Sequence, residues 1–210
     1  MISPLLSNLY MRRFVLGWKK LGHEKRLEAH IVNYADDLVI CCRSHAEEAL
    51  ATMRDIMTKL KLTVNETKTR VCTLPEEKFD FLGYTFGRCY SSKTGRAYLG
   101  TVPSKKRVIR ICEAISEMTG RDQLLLGREM VMAKLNRTMI GWANYFSLGP
   151  VSKAYRAVER HARKRLRQWL CSKHQISWQA TKKFSEAVLH EGLGLVRLTK
   201  RTGSFPWATS

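Results

Sequence analysis

The 210-residue sequence predicts an α+β layer followed by an all-helical region. Three observations carry that prediction. Apolar, partly β-branched runs at Ala29-His30-Ile31-Val32 and Leu38-Val39-Ile40-Cys41-Cys42 flank Asn33-Tyr34-Ala35-Asp36-Asp37, the pattern of a strand, a turn and a second strand. Large apolar residues return along residues 79–87 and 97–102 with strand-like spacing. After Pro103 the apolar period becomes helical, in three successive stretches.

In chain order, Ser3-Pro4 is a helix start, with serine as N-cap and proline at the first helical position. Leu5, Leu6, Leu9, Tyr10 and Phe14 follow at helical spacing. Gly17 and Gly22 bracket the basic end Lys19-Lys20, and residues 23–28 read as a loop before the hairpin. Ser44-His45-Ala46-Glu47 has the form of a capping box. Behind it Ala46, Leu50, Met53, Met57 and Leu60 share one helical face, where the methionines read as core. Residues 70–74, 79–87 and 97–102 are expected strands. Helices are expected over Lys105–Met118 (Val108, Ile111, Ile115, Met118 inward), over residues 128–146 (Val131, Leu135, Thr138, Trp142, Tyr145) and over 153–170 (Tyr155, Val158, Ala162, Leu166, Trp169). Gly120 and Gly149-Pro150 separate them. A domain boundary is expected near residue 100. Residues 1–100 then form the α+β layer, 101–172 the helical domain and 173–210 an irregular, unstructured tail.

Charge narrows the function. The chain carries 37 Lys and Arg against 18 Asp and Glu, a net +19. Residues 1–100 hold 16 basic and 11 acidic side chains, and residues 101–210 hold 21 and 7. Such a field attracts polyanions, and nucleic acid fits better than a membrane surface. No stretch is apolar and long enough to span a bilayer. The N-terminus lacks a basic n-region with a cleavage site, so a non-secreted protein is expected. Six scattered cysteines include no Cys-x-x-Cys pair, which argues against a zinc ribbon and fits a reducing compartment. Cys41 and Cys42 read as small core residues. Within the third helical stretch Lys153, Arg156, Arg160, Arg163, Lys164 and Arg167 form one basic stripe, with Glu159 the single offsetting acid. A phosphate backbone would relieve their mutual repulsion. The nearby aromatics Trp142, Tyr145, Phe146, Tyr155 and Trp169 read as helix packing.

Asp36 and Asp37 sit where the hairpin turns. From the residues alone two readings stay open. One is a solvated Asp-Asp turn. The other is a pair of hard oxygen donors for Mg²⁺ at a phosphoryl-transfer site.

Tyr34-Ala35-Asp36-Asp37 between apolar strands resembles the active-site hairpin of reverse transcriptases, and further blocks follow in that family's order. Ile2-Ser3-Pro4-Leu5-Leu6-Ser7-Asn8-Leu9-Tyr10 is similar to the helix before the hairpin. Leu60-Lys61-Leu62-Thr63-Val64-Asn65-Glu66-Thr67-Lys68-Thr69 is similar to the block after it. Phe81-Leu82-Gly83-Tyr84-Thr85-Phe86 resembles the primer grip. Leu135-Asn136-Arg137, Gly141-Trp142-Ala143-Asn144-Tyr145-Phe146 and the basic helix resemble the thumb and maturase domain of group II intron-encoded proteins.

The resemblance implies a partial reverse-transcriptase palm followed by an all-α thumb/maturase domain. It implies RNA-directed DNA synthesis, in which a primer 3′-hydroxyl attacks a deoxynucleoside triphosphate on an RNA template with two Mg²⁺ ions. Asp36 is then a metal ligand and Asp37 a ligand or close support. Tyr34 lies near the primer terminus, Lys68 near the triphosphate, and Phe81, Leu82 and Gly83 place the primer strand. Group II intron RNA is the partner implied for the helical domain, in a bacterial-type cytoplasm or an organelle. The family also needs a third carboxylate, from a strand upstream of the hairpin, for which this sequence offers no candidate. The expectation is therefore a C-terminal part of a longer protein, inactive as a polymerase alone and completed by an upstream reverse-transcriptase fragment. The alternative is a non-catalytic RNA-binding splicing cofactor.

Overall fold

The computed structural model describes residues 3–91, 93–176 and 183–204. The chain divides into two compact units, Met1–Leu82 and Gly83–Ser210.

In the first unit the order is α1 (Ser3–Lys20), α2 (His23–Arg26), β1 (Ala29–Tyr34), β2 (Asp37–Cys42), α3 (Ala46–Lys59) and the short β3 (Phe79–Phe81). β1 and β2 pair antiparallel, from Ala29 opposite Cys42 to Tyr34 opposite Asp37. Strand alternation turns Ala29, Ile31, Leu38, Ile40 and Cys42 toward a core made by Met11, Phe14 and Trp18 of α1 and by Ala49, Met53, Ile56 and Met57 of α3. Trp18 is wholly buried, and its indole N–H donates to the Ala29 carbonyl at 3.2 Å, which ties α1 to the start of β1.

Several expectations change here. Residues 23–28 contain a helical turn. Residues 70–74 form no strand, and only residues 37–42 and 29–34 make the sheet of this unit's hairpin. The capping box does not form. His45, with φ 59°, precedes α3 and makes no side-chain cap, while its imidazole lies 3.8 Å from Glu48. Cys41 is exposed and only Cys42 turns inward, because neighbours in a strand point to opposite faces. The face of α1 carrying Leu5, Leu6, Leu9 and Tyr10 is exposed, and burial runs instead through Met11, Phe14 and Trp18.

The single strand expected over 79–87 is broken by Leu82 (φ 51°) and Gly83 (φ 83°), two successive left-handed residues that turn the chain. A Cβ on Gly83 would lie 3.0 Å from the Arg107 Nε and 3.1 Å from the Phe146 ring.

The second unit opens with β4 (Tyr84–Tyr90) and β5 (Ala97–Pro103), paired antiparallel from Tyr84 opposite Pro103 to Tyr90 opposite Ala97. Helices α4 (Lys105–Met118), α5 (Arg128–Tyr145) and α6 (Ser152–Lys173) follow, with a 3₁₀ turn at Arg121–Gln123. The division falls at 82/83 rather than near 100 because β4 is anchored to the helices. Tyr84 is buried, its hydroxyl donates to the Tyr145 carbonyl at 2.6 Å, and the Leu148 amide donates back to it at 3.4 Å.

α4 starts at Ser104, whose Oγ accepts from the Arg107 amide at 3.4 Å. Its other end is capped from α6. Arg165 donates to the carbonyls of Ser116 and Thr119 at 3.0 and 3.1 Å, groups that a helix terminus leaves without intrahelical partners. Ile111, Ile115, Val131, Leu135, Met139, Val158, Ala162, Leu166 and Trp169 form the core between the three helices.

The last forty residues depart most from expectation. Residues 183–204 carry a π-helical turn (Val188–Gly192) and a 3₁₀ helix (Leu198–Ser204), and Leu189, Leu195 and Leu198 are at most 3% exposed in the helical core. Asn136 holds this segment from both sides: its amide donates to the Gly194 carbonyl at 2.8 Å, and its carbonyl accepts from the Val196 amide at 2.9 Å. An unstructured tail would have left those leucines in water. Among the described residues no helix is long and apolar enough to cross a membrane.

Tyr155 links α5 to α6. It is fully buried, and its hydroxyl donates to the carbonyls of Ala143 (2.8 Å) and Phe146 (3.0 Å). Burial, with Tyr84 nearby, pushes its pKa up to about 12. The folded chain keeps this proton through a range in which the unfolded chain, with a tyrosine pKa of about 10, loses it. Its stabilising contribution is therefore complete below pH 10 and falls away as pH rises toward 12. Tyr155→Phe is expected to cost about 1–3 kcal/mol at neutral pH and to flatten the decline in stability between pH 10 and 12. Urea unfolding at a series of pH values measures both, and an unchanged alkaline slope would contradict the assignment.

Candidate functional site

The hairpin of the first unit is built by its tip. Ala35 and Asp36 form a two-residue loop between the paired Tyr34 and Asp37. Only Ala35 of the two has a positive φ, 54°. The Asn33 side-chain amide donates to the carbonyls of Ala35 (2.9 Å) and Asp37 (3.2 Å), which holds the loop closed. Asn33 points with Ile31 toward the core, so its neighbour Tyr34 points the other way, and Asp37, directly across the register, shares that outer face. Tyr34 is 64% exposed, and Asp36 and Asp37 are exposed as well. The two candidate carboxylates and the candidate primer-side tyrosine therefore sit together on one solvent-facing tip.

The remaining candidates of this region lie elsewhere in the chain. Lys68 is exposed on a turn closed by amides of Lys68 and Thr69 on the Asn65 carbonyl, at 3.1 and 3.0 Å. Phe81 and Leu82 are half-buried at the end of the first unit, and Gly83 opens the second. Among the described residues no group of three His, Cys, Asp or Glu side chains converges to hold a metal ion. Asp36 and Asp37 suit Mg²⁺ in kind, as hard oxygen donors.

The second candidate surface is α6. Its inward face is Tyr155, Val158, Ala162, Leu166 and Trp169. The basic stripe lies on another side, where Lys153, Arg156, Arg160 and Lys164 are exposed and Arg163 and Arg167 half-buried. Glu159 does not offset this stripe. It is 8% exposed, turned inward, and accepts from the Thr199 hydroxyl at 3.0 Å. The counter-charge comes instead from the C-terminal segment: Glu186 pairs with Arg163, and the Phe184 carbonyl accepts from Arg167 Nε at 2.9 Å. Arg163 and Arg167 are thus engaged by the C-terminal segment; the other four are exposed, Arg156 with its Nε donating to the Ser152 carbonyl at 3.3 Å.

Of the aromatics read as packing, Phe146, Tyr155 and Trp169 are buried, while Tyr145 is 57% exposed over Tyr84 and Phe146. Asn136 and Asn144 were not recognisable as clamps from composition. Asn144 accepts from Arg201 at 3.0 Å, and together the two asparagines seat the segment beyond residue 183. The signal available for that segment was the apolar density of Leu189, Leu193, Leu195, Val196 and Leu198.

Comparison with known families covers both surfaces. Residues 1–86 match the model for reverse transcriptase (RNA-dependent DNA polymerase), and residues 108–184 match that for the group II intron maturase-specific domain. The chain belongs to the group II intron reverse transcriptase/maturase family. No curated protein matches it. The reverse-transcriptase match contains the Asp36–Asp37 hairpin, and the maturase match contains α5, α6 and the basic stripe. Nucleic-acid substrates, intron RNA among them, follow from membership of this reverse transcriptase/maturase family.

Proposed function

We propose that residues 1–210 bind folded intron RNA through α6 and contribute two carboxylates to a nucleotidyl-transfer site that these residues alone do not complete. The observation that carries the first part is the solvent-facing set Lys153, Arg156, Arg160 and Lys164 on a rigid helix. Its spacing suits a phosphate backbone, and folded RNA is recognised largely through shape and backbone. The second part is supported by the hairpin. Asp36 and Asp37 sit on an exposed tip, with no third carboxylate converging on them among the described residues. The Leu5, Leu6 and Leu9 side of α1 and Val32 on the outer hairpin face are open as well. In the completed site, bound Mg²⁺ would stabilise the attacking and leaving oxygens of the displacement. The chain's own part is to hold the carboxylates of Asp36 and Asp37 side by side on a closed turn. Tyr34 beside them, Lys68, and the Phe81-Leu82-Gly83 turn are assigned to the primer and triphosphate. The third carboxylate comes from polypeptide outside these residues, such as a separate upstream reverse-transcriptase fragment.

Purified residues 1–210 are expected to bind group II intron RNA in a salt-sensitive way and to incorporate no thymidylate on poly(rA)/oligo(dT) with Mg²⁺. Asp36→Ala should leave the RNA affinity where it was. Mg²⁺-dependent incorporation that disappears in Asp36→Ala would overturn the incomplete-site reading and favour a polymerase active in its own right.

A further inference from the structure

The C-terminal segment does more than fill the core. From Leu189 onward it is anchored: Leu189, Leu195 and Leu198 are buried, and Asn136, Asn144 and Glu159 bind Gly194, Val196, Arg201 and Thr199. The stretch before Leu189 is different. Lys183, Ser185, Glu186 and Ala187 are exposed, and Phe184 is half-buried at the edge of the core. This stretch lies on the basic stripe. Glu186 takes Arg163, the Phe184 carbonyl takes Arg167, and the Phe184 ring stacks on His174 at 6.5 Å between centroids. One end of the segment is therefore fixed by buried leucines, while the other is held by contacts at the surface and by Ser185, whose carbonyl accepts from the Leu189 amide at 3.0 Å and whose Oγ accepts from the Val188 amide at 3.3 Å.

A carboxylate on Arg163 occupies the position that a phosphate would take. The two ligands offer the same bidentate oxygen geometry to a guanidinium, so they exclude one another there. The Arg163–Glu186 pair is more than half exposed on the glutamate side, and exposed pairs are weak. A polyanion that brings several phosphates to the neighbouring Arg156, Arg160 and Lys164 can displace such a pair.

We propose that residues 183–187 form a strap that masks part of the α6 stripe and is displaced by RNA, whose phosphate replaces the Glu186 carboxylate on Arg163. The strap lowers the affinity: four cations are open with it in place, and Arg163, together with Arg167 on the Phe184 carbonyl, joins them when RNA displaces it. This rests on the RNA-binding reading of α6.

A double-mutant cycle tests the proposal. Glu186→Gln removes the competing charge and keeps the side chain's size. It is expected to tighten binding to intron RNA several-fold, because the phosphate on Arg163 no longer has a carboxylate to displace, and to leave the dependence of log affinity on log salt nearly unchanged, because the same phosphates are engaged in the complex. In an Arg163→Ala background the same substitution should leave the affinity unchanged. An equal gain in both backgrounds would mean that Glu186 acts through the general field, and the strap would be rejected. Weaker binding by Glu186→Gln would reject it too, by making the stretch part of the binding surface. The cycle is repeated with heparin, a polyanion that requires no RNA recognition. If intron RNA fails to bind while heparin shows the Arg163-dependent gain, the RNA reading falls and the masking stands. If heparin shows no Arg163-dependent gain, the masking falls.

Discussion

Gly149→Ala is expected to cost the second unit about 3–5 kcal/mol and to lower its melting temperature by roughly 10 °C or more. Two effects add. Gly149 has φ 75°, a conformation that costs an alanine about 1–2 kcal/mol. The new Cβ would also lie 2.1 Å from the Thr101 carbonyl oxygen, an overlap with backbone that no side-chain rotation relieves. Thr101 belongs to β5 and Gly149 to the turn before α6, so relief requires the hairpin or the helix to shift. Gly141→Ala is the control. Gly141 lies within α5 and a Cβ there meets nothing within 4 Å, so this change should be neutral or raise stability by up to about 1 kcal/mol. Thermal unfolding of the two variants decides the matter, and equal melting temperatures would show that the turn before α6 yields easily.

The largest expected effect on binding comes from Arg156→Ala combined with Arg160→Ala. These side chains lie one turn apart on α6, both in solvent. If each contacts one phosphate, their loss reduces the slope of log affinity against log salt by about 1.4–1.8. Binding at low salt should weaken about ten- to a hundred-fold. Stability should hardly change, because surface substitutions away from packing features usually stay within about 0.5 kcal/mol. Lys19→Ala with Lys20→Ala removes the same charge from the end of α1. If binding follows net charge alone, both pairs lose the same affinity. If it follows the α6 stripe, the lysine pair loses little. Filter binding across a salt series separates the outcomes, and equal losses would remove α6 from the proposed interface.

The hairpin, α3 and the three long helices were legible because each repeats an apolar period over enough residues to average out local noise. Met53 and Met57 lie in the core of the first unit, and Ile111, Ile115 and Leu135 in that of the second, where the 3.6-residue spacing placed them. Strand alternation likewise placed Ile31 and Ile40 inward. The failures were local. Residues 70–74 have β-branched residues but form no strand, and Thr73 bonds to Glu77 instead, since a strand requires a partner that propensity does not supply. The capping box at Ser44 was displaced by His45 in a left-handed conformation. The apolar period of α1's first turns points to Leu5, Leu6 and Leu9, whereas burial follows Met11, Phe14 and Trp18, which meet α3 and β1.

The candidate sites divide in the same way. By itself, the sequence determined that two carboxylates stand at a hairpin tip and that six cations line one helical face. Both facts depend only on residue order and the period of the backbone. Tertiary structure alone decided how those charges are matched. It turned Glu159 inward to Thr199 and brought Glu186 onto Arg163 from 23 residues away along the chain. It also seated the leucines of the last forty residues in the core through Asn136, an asparagine on α5. The reason is physical. Period and charge act between near neighbours in the chain, while pairing across a fold depends on which surfaces burial brings together.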